Sequence, residues 1–274
     1  MNQGDPRRPA AGPAAGRRHA GAGADALEID VALVPDQARR WPPTVCIVVD
    51  QLRASSTLTT LLDLGCAELF LTRGLAEARR LRDGRDALLA GERRGLTPRG
   101  FDSNNSPTEL AGHRVRGRPV ILSTANGTAV LSRLVAMPAV LVGCARNASA
   151  VARAAVALAA AGGPRRIGVV CAGVLGRFAL DDAVVAGLIV GRLTEALERR
   201  TVDGPVDLSD GAIAAVRIAA TFPDVEAALR ASETGRVVVG IGAEPDIPFC
   251  AAVDASHSVG ILRPGSPSRI ERLD

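Results

Sequence analysis

From residue 45 onward, short apolar or β-branched runs alternate with longer stretches whose apolar positions recur at helical spacing. The runs cover 45–49, 68–72, 87–90, 119–123, 139–142 and 167–171. Between them, 56–64, 75–83, 128–135, 148–161 and 180–199 carry the 3.6-residue period of helices and are rich in Ala, Leu and Arg. Strands that read as nearly continuous apolar runs are buried on both faces. The alternation therefore predicts an α/β fold, a largely parallel sheet flanked by helices. Residues 91–118 break the rhythm. The gap is too long for an ordinary connection, which marks it as functional or locally structured.

Past residue 200 the pattern changes. A helical stretch is expected over 209–232, and strands over 237–241, 249–253 and 259–262. This divides the chain into a main α/β domain carrying the site (28–200) and a smaller C-terminal lobe (201–274). The lobe either packs on the main domain or completes its sheet. Residues 1–27 are rich in Ala, Gly, Pro and Arg and lack the apolar core of a signal peptide, so they read as a disordered extension.

Composition narrows the function classes. A chain of 274 residues can bury a large core as one domain or two closely joined ones. No apolar run reaches the roughly 18 residues of a membrane span, so no membrane partner is expected. There is no lysine, which removes the Walker phosphate loop and Schiff-base chemistry. The formal charge is +4, and the first 27 residues hold four arginines against two aspartates, leaving +2 for the rest. With one Trp, five Phe and no Tyr, nucleic acid is not an expected partner. Five cysteines lie far apart without a C-x-x-C pair, four of them in apolar contexts, as free thiols in a reducing cytoplasm would. Assembly is left open, a homo-oligomer included.

Ligands of open α/β sheets bind beyond the carboxyl ends of the strands, so the residues that follow each run carry the information. They are Asp50-Gln51-Leu52-Arg53-Ala54-Ser55-Ser56, Gly91-Glu92-Arg93, Thr124-Ala125-Asn126-Gly127-Thr128, Gly143-Cys144-Ala145-Arg146-Asn147, and Cys171 to Arg177 with Asp181 and Asp182 beyond. If all strands are parallel, these five sets share one edge. Asp50 and Glu92 would meet there, joined by Asp182 if its helix start faces the same crevice. Hard oxygen ligands beside backbone N–H groups are what a divalent cation and a phosphate need together, and Arg53 adds a bidentate partner for an oxyanion. Singly, each has an ordinary reading: Ser55, Ser56, Thr128, Asn147 and Asp181 as helix caps, Asn126-Gly127 as a turn. The constellation is stronger than its members.

Several chemistries drop out. A haloacid-dehalogenase-type phosphatase needs a second Asp where Leu52 stands. His19, His113 and His257 fit no strand-end loop, and zinc spacing is absent. Cys171-x5-Arg177, with Gly173 and Gly176 between, has the spacing of cysteine-dependent phosphatases, although Phe178 stands where those loops carry a hydroxyl. A non-catalytic phosphometabolite-binding protein is the remaining alternative.

Seven ordered segments resemble one family: DQLRASST (50–57), LAGERRG (89–95), GFDSNNSP (100–107), LSTANGT (122–128), GCARNASAVA (143–152), CAGVLGRFALDD (171–182) and DIPFCAAVD (246–254). They are similar to the 2-phosphosulfolactate phosphatases, from about residue 29 to 262. Ser103-Asn104 stands where members often carry Leu-Gly, Ala125 where they often carry Thr, and no Val-Pro occurs near Val259-Gly260. The resemblance implies an α/β fold and Mg²⁺-dependent hydrolysis, in the coenzyme M pathway, of (2R)-2-phospho-3-sulfolactate to 3-sulfolactate and phosphate. Among the residues of the matching segments, Asp50, Arg53 and Glu92 are expected to be catalytic, and Asp50, Glu92 and Asp182 to hold the metal directly or through water. Phosphate and substrate would be bound by Ser55, Ser56, Asn105, Ser106, Thr124, Asn126, Gly127, Thr128 and Asn147. A second acidic group would find cations among Arg93, Arg99, Arg146 and Arg177.

Overall fold

The computed structural model of the protein describes residues 26–124, 127–200 and 204–273, with backbone only at Thr128 and Arg200. Chain order is β1 (Leu27–Ala32), β2 (Val45–Val49), α1 (Ala54–Asp63), β3 (Glu68–Thr72), α2 (Leu75–Arg82), β4 (Leu88–Gly91), α3 (Pro107–Ala111), β5 (Pro119–Ser123), α4 (Gly127–Arg133) and β6 (Ala139–Gly143). There follow α5 (Ala148–Ala160), β7 (Arg166–Cys171), α6 (Leu180–Arg200), β8 (Val206–Leu208), α7 (Asp210–Ala219), α8 (Val225–Ala231), α9 (Glu233–Gly240), α10 (Asp246–Ala251), β9 (Gly260–Arg263) and β10 (Ser268–Arg272). Leu27, expected in the N-terminal extension, opens β1, while residues 1–25 lie outside the described part.

Among the described residues ten strands form one sheet, in the order β4-β5-β3-β10-β9-β6-β2-β7-β1-β8. It is α/β and mostly parallel, as the sequence predicts, but the parallel strands fall into two blocks. One is β4-β5-β3 and the other β6-β2-β7-β1-β8. The antiparallel hairpin β9–β10 sits between them, paired antiparallel to β6 on one side and β3 on the other. Three antiparallel steps reverse direction an odd number of times, so the two blocks run opposite ways.

The expectation of one shared edge is thereby corrected. In a flat sheet the ends of β4 and β5 would lie opposite the ends of β2, β6 and β7. Sheets twist, however, by roughly 20–25° per neighbouring pair. Five steps separate β5 from β2, which turns the strand direction by roughly 100–125°. The inner face consequently wraps around α1, α3 and α4. Val48, Leu71, Leu88, Leu122 and Val142 from both blocks, with Leu262 and Ile270 of the hairpin, share one core with Leu58, Leu61, Leu110, Val130 and Leu131. On the outer face, α5, α6 and α7 cover the larger block through Val151, Ile189 and Ala215. The smaller block packs Phe70, Leu89 and Ile121 against Ala78 of α2.

Enclosure explains why α1 can be buried from Ala54 to Leu62 despite five hydroxyl side chains. Ser55 donates to the carbonyl of Val48, Ser56 to Gln51 and Thr60 to Ser56, so the hydroxyls bring their own acceptors.

The C-terminal region holds the largest error of the sequence pattern. Residues 237–241 and 249–253, expected as strands, belong mainly to α9 and α10. Burial at Asp246, Ile247, Cys250 and Ala251 follows the helical period, and Ser232 caps α9 by accepting from the N–H of Gly235. Short β-branched runs do not separate strand from helix, and here packing against Leu229 and Leu52 decides for helix. Residues 259–262 do lie in or beside β9. Among the described residues no helix is long and apolar enough to cross a membrane.

Candidate active site

Where the two blocks meet, a cavity of about 350 Å³ opens above the ends of β2, β4 and β5. Asp50, Arg53, Glu92, Asn105 and Thr124 line it, bringing together five of the residues singled out from sequence. Its other wall is apolar, built by Leu52, Val174 and Leu175 and by Val237, Val238 and Ile241 at the end of α9.

Asp50 is the centre. Its Oδ1 accepts from the N–H of Ala54 at 3.2 Å, and its own N–H donates to Ser55 Oγ at 2.9 Å. A second backbone N–H, that of Gly127, bonds to the carboxylate. A Cβ at position 127 would stand 2.7 Å from Asp50 Oδ2 and 2.9 Å from the Ala54 Cβ, so only glycine admits this approach. Burial pushes the Asp50 carboxyl up to about 6; the charge of Glu92 adds to the rise, while the Ala54 and Gly127 N–H groups and Arg53 oppose it.

Glu92 follows β4 directly, and its Oε2 accepts from the N–H of Gly95 at 3.0 Å. Arg94 and Gly95 form the tip of a tight turn at φ 55° and 79°, closed by bonds between Arg93 and Leu96 in both directions. Val174 to Arg177 repeats this turn, with Leu175 and Gly176 at φ 52° and 79°. Positive φ at both central residues marks the two-residue hairpin type. The two tips face the same cavity, and Leu175 remains 81% exposed there.

Arg53 is almost fully buried. It donates to Asp246 Oδ2 at 2.7 Å and to Asn104 Oδ1 at 2.9 Å. Asn105 keeps a buried Oδ1 without a partner among the described residues. Arg93 lines the cavity but is braced on the carbonyls of Glu92 and Arg73 and on Ser123 Oγ.

Other predicted residues serve as stitches. Both oxygens of Asp182 are taken, Oδ1 by the N–H of Gln51 and Oδ2 by that of Gly173, each at 2.8 Å. Among the described residues no three His, Cys, Asp or Glu side chains gather as a metal cluster. Asp50 nevertheless feels the charge of Glu92, and Asp182 that of Asp50, so the three carboxylates named from sequence lie within electrostatic reach of one another in turn. Asn147 is fully buried and caps its own turn, accepting from the N–H of Cys144 and donating to the carbonyls of Val142 and Ser258. Ser106 caps α3 and donates to Asp246. Ser55 and Ser56 spend their hydroxyls on β2 and its loop, as described. Asn126 lies outside the described residues, as does the side chain of Thr128.

Of the cations proposed for a second acidic group, Arg146 stacks on Phe249 at 3.9 Å and donates to its carbonyl. Arg177 is exposed and faces Glu233 at 3.8 Å. Neither lines the cavity wall with Arg53 and Arg93.

Three contributors escape sequence reading. Asp181, read as a cap, is buried; it accepts from the Leu52 N–H and the Thr234 hydroxyl and keeps a partnerless Oδ1 among the described residues. Burial raises its carboxyl to about 7, with the charge of Asp50 adding to the rise. Gln51 ties β2 to Ala145 and Cys250 through its side chain. Asp246 is entirely buried. Its signal was an acid heading the apolar run IPFCAA, which the sequence offered without a partner to read it against.

Cys171 is buried at the end of β7, and burial together with Asp182 and Asp181 raises its thiol well above the usual range. The loop from Gly173 to Arg177 is a hairpin and does not form a cradle around a phosphate. All five cysteines are free.

The family model described as 2-phosphosulpholactate phosphatase matches residues 32–265. A probable 2-phosphosulfolactate phosphatase of Deinococcus radiodurans is 39% identical over 241 residues, covering 87% of this chain and 95% of that protein. The probable 2-phosphosulfolactate phosphatase of Thermus thermophilus is 36% identical, covering 86% and 95%. That of Clostridium acetobutylicum is 28% identical, covering 83% and 94%. With so long a match, and with the segments around Asp50, Glu92 and Asn105 converging on one cavity, the chain belongs to the 2-phosphosulfolactate phosphatase family.

Proposed function

We propose that the protein is a Mg²⁺-dependent phosphatase of a small acidic phosphomonoester. The substrate is (2R)-2-phospho-3-sulfolactate, cleaved to 3-sulfolactate and phosphate in the reducing cytoplasm. The observation that carries this reading is Asp50: a buried carboxyl held by two backbone N–H groups at a cavity wall shared with Arg53.

The donor set suits Mg²⁺. This ion keeps several waters and takes one or two carboxylates together with substrate phosphate, so a full protein cage is not required. Asp50 and Glu92 supply two carboxylates whose mutual repulsion a cation relieves, and Asn105 offers a partnerless carbonyl oxygen. When bound, the ion supplies Lewis-acid polarisation of phosphoryl oxygens. Asp182, whose oxygens each accept one backbone N–H, would reach the ion through water rather than directly.

The residues of the chain do the rest. Arg53 presents its fork to phosphoryl oxygens. Asp50, pushed toward neutrality, accepts a proton from the attacking water, as suits a general base. The water oxygen bonds to phosphorus as the ester P–O bond breaks. The departing alkoxide takes a proton from solvent and Asp50 releases its own to solvent, so the site returns to its starting charge. The buried Leu52 and the neighbouring Val238 give the cavity an apolar wall beside the reacting centre.

The test is phosphate release from 2-phosphosulfolactate and a panel of other phosphorylated acids, with Mg²⁺ and with EDTA. Turnover that needs Mg²⁺ and vanishes in Asp50→Asn supports the reading. Release that survives EDTA and Asp50→Asn but is lost in Cys171→Ser overturns it.

A further inference from the structure

Asp246 lies about 190 residues from Arg53 in sequence, and the two form an ion pair of 2.7 Å with side chains 0% and 4% exposed. Removing two charges from water costs more than such a pair commonly returns, and apolar replacements are often as stable. Stability alone therefore does not account for it. The geometry around the pair does. Asp246 Oδ2 accepts from Arg53, while Oδ1 accepts from the hydroxyls of Ser106 at 2.8 Å and Thr108 at 2.6 Å. The N–H of Thr108 adds a longer bond at 3.3 Å. The other branch of the guanidinium is fixed by Asn104 Oδ1, which also accepts from the N–H of Asn105, while Asn104 Nδ2 donates to the carbonyl of Gly95.

One carboxylate thus joins three distant segments: the loop after β2, the long segment before α3, and the first turn of α10. A guanidinium anchored at both terminal nitrogens has its plane fixed, and a fixed plane decides whether the fork meets an oxyanion with two parallel bonds or one. Of its five N–H donors, these contacts use one on each branch among the described residues. We propose that Asp246 is a positioning residue for the phosphoryl group. It acts through Arg53, holding the guanidinium in the plane that binds phosphate, and brings the C-terminal α10 into the site although α10 lines no part of its cavity. The inference rests on the phosphatase reading above.

The test is a double-mutant cycle. Asp246→Asn keeps the shape and the hydroxyl contacts but removes the charge facing Arg53. It is expected to lower kcat/KM about 10- to 100-fold, with most of the change in KM and a matching rise in the inhibition constant of inorganic phosphate. On an Arg53→Met background the same substitution should cost less than about 2-fold, because the group it acts through is gone. An equal cost with and without Arg53, or an unchanged phosphate constant, overturns the proposal. If Asp246→Asn does not fold, Asp246→Glu, which keeps the charge but shifts it by one methylene, is read the same way. Inorganic phosphate affinity, measured by calorimetry on the same variants, separates the two readings. An unaltered chain that binds phosphate but hydrolyses no phosphomonoester fails the phosphatase reading and still tests Asp246. A chain that does not bind phosphate overturns both.

Discussion

Gly127 and Asp50 touch across the seam between two strand blocks that run in opposite directions, the N–H of Gly127 bonding to the Asp50 carboxylate. A Cβ at 127 would fall 2.7 Å from Asp50 Oδ2 and 2.9 Å from the Ala54 Cβ. Gly127→Ala must therefore displace Asp50 or lift the start of α4. Because a misplacement near 1 Å at a reacting group costs on the order of 10²-fold, kcat/KM should fall by about that factor. The loss should appear in steady-state phosphate release while the circular dichroism spectrum stays that of the unaltered protein.

Asp182 tests a different property. Its two oxygens accept the N–H groups of Gln51 and Gly173, joining the ends of β2 and β7. Asp182→Ala leaves two buried donors unsatisfied, at about 1–3 kcal/mol each. Asp182→Asn loses one acceptor and turns an NH₂ toward an N–H. Both should lower the denaturant midpoint substantially. The Mg²⁺ concentration for half-maximal turnover should move little in whatever fraction folds. A direct metal ligand would give the reverse pattern, with affinity lost and midpoint kept.

How far the sequence could be read depended on whether a residue's role was local. Runs such as 45–49 and 139–142 are apolar at every position, and that pattern alone identifies buried parallel strands. Asp50 and Glu92 follow such runs and do reach the cavity. The direction of the smaller block was not legible, because it is set by the β9–β10 hairpin, whose pairing partners β6 and β3 lie far away in sequence. Side-chain aim was equally hidden. Asp181 and Asp182 are adjacent and alike, yet one is tied to Gln51 and Gly173 and the other to Leu52 and Thr234. Asn147 looked like a ligand for the same reason that it caps a turn: its short amide can reach nearby backbone groups.

Asp181 gives the fold a pH dependence of defined sign. Burial first, then the charge of Asp50, raises its carboxyl from the ordinary value near 4 to about 7. The folded chain thus binds this proton more tightly than the unfolded one. Its stabilising contribution is whole below about pH 4 and is lost as pH climbs through about 7. Melting temperature measured in EDTA should fall between pH 5 and 7.5. Asp181→Asn, which cannot ionise, should flatten that fall. An unchanged slope would mean that Asp181 is not desolvated as described.

Glu92→Gln separates the electrostatic role of Glu92 from its placement. The amide retains an oxygen for the N–H of Gly95 but removes the charge that helps raise Asp50. If Asp50 is the base, the acid limb of kcat/KM against pH reports its carboxyl in the free enzyme. Without Glu92 beside it, that limb should move to lower pH. Mg²⁺ should bind more weakly as well, since one of two candidate carboxylate ligands is gone. The activity at saturating Mg²⁺ is expected to drop only about 2- to 5-fold, because a slightly less basic carboxylate draws the water proton less strongly. An acid limb that stays in place in Glu92→Gln would remove either Glu92 from the field at Asp50 or Asp50 from the proton transfer. Glu77→Gln, a change on the outer face in α2, serves as the charge-matched control and should leave the profile where it was.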